Sequence, residues 1–241
     1  MKKEPSKTAG IRNNFAKELK KAYTKRFSNL KKKLEFIYNF QGVVLKRGMK
    51  NLSLDDYFYY IDIEFGEEFE REIKTITSKY LEQGYKKGLF AAVNELKKAG
   101  IDISNYTYTT RDLEAIKILQ NNGFSLAKGL GDEVKKKMKT KLSELYLRGA
   151  SIQEMSKEIR TIEEMSKYRA DMIARTETIR AYNEAAVNQY KENEIEKWIW
   201  ITAIDERTCD ECMALDGTEH TYDDERPPAH PLCRCAVAPA V

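Results

Sequence analysis

The 241 residues are 41% hydrophobic and 33% charged, enough apolar content for one sizeable core or two modest ones, which excludes a chain disordered throughout. No stretch reaches the roughly 20 consecutive apolar residues of a membrane-crossing helix, and Met1 to Pro5 lacks the apolar segment of a secretion signal, so a reducing cytosol is the expected setting. The formal net charge of +4 is unevenly spread: residues 1–50 hold 15 Lys or Arg against 3 acids, residues 151–241 hold 11 against 19. Such a basic end suits a polyanion or an acidic protein surface, or is a solvated helix face.

Phe15, Leu19, Ala22, Tyr23, Phe27, Leu30, Leu34 and Ile37 step along one helical stripe, predicting a helix from Ile11 to Phe40 with a cationic opposite face. Gly42 to Ser53 breaks the pattern, and Ser53 before Leu54-Asp55-Asp56 reads as a helix N-cap. Phe69, Ile73, Ile76 and Tyr80 open the next stripe, which continues to Leu96 and stops at Ala99-Gly100. Within it Gly84 and Gly88 allow either close approach of another helix or a kink. Residues 101–110 read as a connecting loop. Leu113, Ile116 and Leu119 resume helical spacing, Asn121-Asn122-Gly123 interrupts it, and Val134, Met138, Leu142 and Leu145 form a further stripe. Ser151 to Glu154 is a capping box opening a short helix to Arg160. With Leu147 to Ala150 it makes a two-helix corner, resembling half of a helix-turn-helix but without a basic recognition face. A separate helix is expected from Tyr168 to Asn193.

The texture changes at Lys197. Trp198-Ile199-Trp200-Ile201 alternates as a strand with both tryptophans on one face, and turn residues dominate the chain beyond it. All four cysteines and both histidines lie after residue 208: Cys209 and Cys212 as a CxxC, then His220, then His230, Cys233 and Cys235 as an HxxCxC. In a reducing compartment such a cluster reads as metal ligands or reduced thiols. Tetrahedral zinc takes two thiolates from a CxxC and needs a second pair from elsewhere. Five candidates compete for four places: Cys209 and Cys212 first, His230 and Cys235 next, Cys233 as substitute. The alternative is reduced cysteines packed as small hydrophobes. A closed four-ligand zinc site is structural. The chain has no Gly-rich phosphate loop, no HExxH and no nucleophile elbow, and four clustered thiols disfavour a Cys-His hydrolase with His220 or His230 as base.

The run Ala174-Arg175-Thr176-Glu177-Thr178, then Asp205-Glu206-Arg207-Thr208-Cys209-Asp210-Glu211-Cys212, Leu215-Asp216-Gly217, and Pro227 to Cys235, resembles the phage head morphogenesis domain of the Mu F type. The resemblance spans roughly residues 110 to 241. It implies a non-enzymatic minor capsid protein inside the head. Its partners would be the portal and a major capsid or scaffolding protein. Virion and, during assembly, host cytoplasm would be its locations, with no membrane contact, and it would aid head assembly and genome delivery. The expected architecture is mainly α: an elongated helical body with a small C-terminal α+β, Cys/His-rich, zinc-knuckle-like module. Its divisions are a variable helical region with the basic arm at 1–109, the helical part of the Mu F-like domain at 110–196, and the Cys/His module at 197–241. Lys20, Lys21, Lys31, Lys32 and Lys33 would give sequence-independent contact with double-stranded DNA. Arg175 and Glu177 could form a buried ion pair or hydrogen bonds fixing their helix against the Cys module. Alternatives are an HNH-type metal-dependent nuclease and a zinc-stabilised DNA-binding protein built on the 147–160 corner.

Overall fold

The computed structural model describes residues 4–46, 53–103 and 108–241. Five helices of 11 to 41 residues come first: α1 (Ala9–Lys46), α2 (Leu54–Glu64), α3 (Glu67–Lys98), α4 (Thr110–Leu147) and α5 (Ile152–Glu192). The C-terminal module comes after them, with β1 (Trp198–Ile201), the short α6 (Asp210–Leu215), β2 (Glu219–His220) and β3 (Ala236–Pro239). The strands form an antiparallel sheet in the order β2-β1-β3, with Trp198 opposite His220 on one side and Pro239 on the other. A mainly α chain with a small α+β, Cys/His-bearing C-terminal module is therefore what the sequence folds into. None of the described helices is long and apolar enough to cross a membrane.

Several sequence-predicted boundaries move. The first helix runs to Lys46, so Gln41 to Lys46 stay helical where the apolar pattern breaks, and residues 47–52 lie outside the described residues. Of the predicted loop 101–110, residues 101–103 and 108–109 are irregular and 104–107 lie outside the description. Asn121-Asn122-Gly123 does not interrupt α4. A Cβ at Gly123 would lie 2.5 Å from Leu81 Cδ1, so this glycine is a packing requirement and not a break. Nor does a helix end at Arg160. Ile159, Ile162, Ser166, Ala170 and Ala174 are all buried at steps of three and four with no Gly or Pro among them, and α5 runs through as one helix.

Two compact units divide the chain: Met1–Ala16, Ile76–Phe124 and Met172–Val241 in the first, Lys17–Thr75 and Ser125–Asp171 in the second. In the second unit the core is aromatic. Tyr23 meets Phe69 edge-on at 4.9 Å between ring centroids, Phe65 lies 5.3 Å from both Phe27 and Phe69, and the Tyr23 hydroxyl donates to the Ala127 carbonyl at 2.9 Å. Both expected caps are present here: the Ser53 amide donates to Asp56 and the Ser151 amide to Glu154, each at 2.8 Å. At the Arg148–Ala150 corner Gly149 takes φ +69°, a left-handed conformation that costs glycine little.

In the first unit α3 and α5 approach closely. A Cβ at Gly84 would lie 3.2 Å from the Thr178 carbonyl oxygen, and one at Gly88 only 2.0 Å from that of Tyr182. The glycine pair thus marks a helix crossing, not a kink. Beside it Tyr85 donates to Asp112 at 2.7 Å, while Asp112 also accepts the Thr109 amide at 2.9 Å and so caps α4.

Gly88→Ala should therefore lower stability by about 1–3 kcal/mol through overpacking. Gly129→Ala, in α4 with nothing within 4 Å of its added Cβ, should raise stability by roughly 1 kcal/mol from helix propensity. Urea melts of the two variants against the parent protein measure both shifts.

Candidate metal centre

Three segments of the first unit build this site, and each is held by local chemistry. The first is a turn after β1: Thr208 N–H donates to the Asp205 carbonyl and Arg207 N–H to the Asp205 carboxylate, both at 3.0 Å. That turn delivers Cys209 as the N-cap of α6, where its sulfur accepts the Cys212 amide at 3.4 Å. The second is the hairpin from α6 to β2, closed by Gly217 at φ +78° with its N–H on the Trp200 carbonyl at 2.8 Å. The third is the loop Pro227 to Cys235, whose turn places Cys233 N–H on the His230 carbonyl at 3.2 Å and Leu232 at φ +66°.

All five sequence-predicted ligand residues meet here. His230 Nε2 lies 3.1 Å from the sulfurs of both Cys209 and Cys212, and Cys212 lies 3.8 Å from Cys233. Donor atoms of Cys209, Cys212 and His230 are within 4.8 Å of one another, as are those of Cys212, Cys233 and Cys235. Cys212, Cys233 and Cys235 are buried, Cys209 is exposed, and all four are free thiols. His230 Nδ1 faces the Pro231 carbonyl at 2.8 Å. A carbonyl only accepts, so Nδ1 holds the proton and Nε2 offers its lone pair toward the sulfurs. The donor set fits a zinc-class ion. Two sulfurs on one such ion at about 2.3 Å each stand close to the Cys212–Cys233 separation.

Electrostatics divide the thiols. The Cys212 amide holds the Cys209 thiol below its usual value, while burial, aided by the neighbouring Cys233, pushes Cys212 up to about 12. Cys235 instead has its sulfur 3.3 Å from the Thr202 hydroxyl and its carbonyl on Asn183 Nδ2 at 3.1 Å. His220 stands apart from the cluster. Its ring stacks on Trp198 at 4.5 Å between centroids, and its Nε2 meets the Thr218 hydroxyl at 2.7 Å. Both tryptophans are buried on one face of β1, as the alternation predicts.

Residues that sequence reasoning missed hold the three segments in register. Arg234, between the last two cysteines, forms a bidentate ion pair with Asp205, one arm at 2.8 Å. Both side chains are about nine-tenths buried. Three α5 residues spaced by seven face the module. Thr176 Oγ1 accepts the Leu232 amide at 3.1 Å, Asn183 Nδ2 donates to the carbonyls of Pro227 and Cys235, and the Tyr190 hydroxyl lies 3.5 Å from the Val237 carbonyl. Thr176 lies in the run that carries the family resemblance, and for Asn183 and Tyr190 the sequence signal is a polar group recurring every seventh position inside an apolar stripe. Glu177 is buried and pairs with Arg180 at 3.3 Å, and Thr176 links α5 to the Cys loop.

Residues 136–238 match the family described as phage Mu protein F like protein. The match covers less than half of the chain, and it makes this segment similar to the phage head morphogenesis family. An uncharacterised protein of Haemophilus influenzae (strain ATCC 51907 / DSM 11121 / KW20 / Rd) is 22% identical over 189 residues, 73% of this chain and 42% of that protein. The chain thus spans less than half the length of that relative. No solved structure matches it. The Mu F-like segment contains the corner, part of α4, all of α5 and the whole Cys/His cluster.

The basic residues sit in the second unit. Lys20 pairs with Asp171 at 2.8 Å, and Lys31 with Glu163 and Lys33 with Glu64 at 2.6 Å each; Lys21 and Lys32 are exposed along the same helix.

The Arg234 guanidinium holds the Asp205 carboxyl well below its ordinary value of 3.8. A depressed carboxyl stabilises the fold above its unfolded pKa and loses that contribution as pH falls through the folded value. Asp205→Asn should therefore melt below the parent protein at neutral pH. The gap should close only under strongly acid conditions, below pH 3.8. Tryptophan fluorescence melts across pH, reporting Trp198 and Trp200, check this.

Proposed function

We propose that the protein is a minor head protein of a tailed phage or prophage, non-enzymatic, associated with the portal and lying in the head interior. Here the Cys/His module serves as a metal-stapled docking knob. The observation that supports this reading best is the clustering of Cys209, Cys212, His230 and Cys233 inside the Mu F-like segment, pinned to α5 by Thr176 and Asn183. Zinc held by those four, with Cys235 kept on Thr202, would join the CxxC turn to the HxxCxC loop and leave no open position for a hydrolytic water. An HNH-type nuclease gains no support from His230, whose Nε2 faces two sulfurs. The corner at Arg148–Ala150 leads into a 41-residue helix whose first turns carry Glu154, Glu158, Glu163 and Glu164, a poor approach to a DNA groove. Partners by this reading are the portal and a major capsid or scaffolding protein, with head assembly and genome delivery as the roles.

Purified protein should hold one zinc per chain by elemental analysis. Cys212→Ser should lose it and unfold the module while the helical circular dichroism is largely kept. Cys235→Ser should retain the metal; loss of zinc there and retention in Cys233→Ser would reverse the ligand assignment.

Contact with packaged DNA is a further part of the proposal, and Lys21 and Lys32, outside the ion pairs of their neighbours, are its best carriers. Charge reversal at both should reduce the slope of log affinity against log salt by about 2 in filter-binding titrations. Reversal of the ion-paired Lys20, Lys31 and Lys33 should act mainly on thermal stability. A duplex affinity indifferent to salt and to Lys21 and Lys32 removes DNA from the function.

A further inference from the structure

Neighbouring cysteine sulfurs in this module lead from an exposed residue to buried ones. Cys209 is exposed, Cys212 lies within 4.8 Å of it, and Cys233 lies 3.8 Å beyond Cys212, both inner residues being buried. At 3.8 Å the inner pair is in van der Waals contact and need close by less than 2 Å to reach a disulfide length of about 2.05 Å. We propose that Cys209, Cys212 and Cys233 form a thiol relay. Oxidation enters at Cys209 and ends as a buried Cys212–Cys233 disulfide, an alternative covalent staple for the module.

The co-reactant is a low-molecular-weight disulfide of the oxidised glutathione class, and the steps balance. Cys209 sulfur attacks one sulfur of the reagent, the reagent's S–S bond breaks, and one small thiol leaves with a proton. Cys212 sulfur attacks the Cys209 sulfur of the mixed disulfide, forming Cys209–Cys212 and expelling the second small thiol. Cys233 sulfur then attacks Cys212, and Cys209 departs as a thiol. Two protein thiols are oxidised and one reagent disulfide is reduced to two thiols.

Exposure and restraint settle the bond on the inner pair. A Cys209–Cys212 bond lies at the surface, open to attack by any thiol in solution, whereas Cys212 and Cys233 are shielded. Cys235 is the competing acceptor, but its sulfur rests on Thr202, its carbonyl is held by Asn183, and β3 begins at the next residue. The chemistry stands on the sulfur geometry alone; its use rests on the head-protein reading, since a head protein leaves a reducing cytoplasm for an oxidising exterior. One set of thiols would then fasten the module in both settings.

The test uses the full chain, stripped with a chelator and treated with oxidised glutathione. Denatured thiol titration should fall from four to two per chain. Cleavage before aspartates and after arginines separates Cys209 and Cys212 from Cys233 and Cys235, and fragmentation of the linked peptide in the mass spectrometer should then place the bond between Cys212 and Cys233. An unchanged thiol count, a terminal glutathione adduct, a terminal Cys209–Cys212 bond or any bond to Cys235 overturns the proposal. Cys209→Ser should reach the same product about tenfold more slowly; an equal rate overturns the relay. Cys233→Ser should stop at Cys209–Cys212. Zinc content is measured on the untreated protein in parallel. A chain that binds no zinc yet forms the inner bond refutes the metal reading and not this one, and a chain that binds zinc but never forms the bond does the converse.

Discussion

The register of the two cysteine-bearing loops depends first on the ion pair between Asp205 and Arg234. Residues of the CxxC and the HxxCxC lie 18 to 26 positions apart along the chain, with only the six-residue α6 and the two-residue β2 to bridge them among the described elements. Loops of that kind have little apolar area with which to fix their relative position. Asp205 organises the turn that presents Cys209, and Arg234 stands between Cys233 and Cys235. One bidentate contact, nine-tenths buried, therefore sets the register of both sulfur pairs before any ion arrives. Such preorganisation makes the candidate metal site a consequence of the loop geometry, and an ion bound there would strengthen what the ion pair has positioned.

Helix α5 supplies the other half of that geometry. Thr176, Asn183 and Tyr190 recur every seventh residue, and between them Ile179 and Ala186 are buried. An apolar stripe alone would let the module slide along the helix, because hydrophobic contact has no direction. The hydrogen bonds to Leu232, Pro227 and Cys235 remove that freedom. Leu232 shows the consequence: its φ of +66° is unfavourable for a branched side chain, and its amide is held on Thr176 in the same turn that aims His230 and Cys233.

How far this was legible from sequence depends on the range of each interaction. The N-cap at Ser53, the capping box at Ser151 and the alternation of Trp198 to Ile201 are local, and the structure bears them out; Gly84 and Gly88 left close approach and a kink both open, and the structure shows the close approach. Continuity of α4 and α5 was not legible. Asn121-Asn122-Gly123 looks like a stop until Leu81 is seen filling the space a side chain would need, and Arg160 to Tyr168 hides its spacing among charges. The convergence of five Cys/His residues was readable from spacing. Asp205, Thr176 and Asn183 were not, because single polar residues gain a role only from partners 29, 56 and 52 positions away, which no local pattern reports.

Charge teaches the same lesson with the opposite sign. The sequence counts +12 over residues 1–50, which reads as an arm for a polyanion. Folding brings acids of the second unit to Lys20, Lys31 and Lys33, and Arg26 is buried between Glu68 and Glu72. These cations are then largely committed to holding helices together. An ion already paired with a carboxylate must give up that partner to meet a phosphate, which offsets most of the gain. Among the described side chains of α1, Lys17, Lys21, Lys25 and Lys32 are the exposed lysines open to an external anion, a modest field for weak and salt-sensitive contact. Under the proposed role beside a packaged genome, so weak a field would hold the protein in place while leaving the DNA free to move.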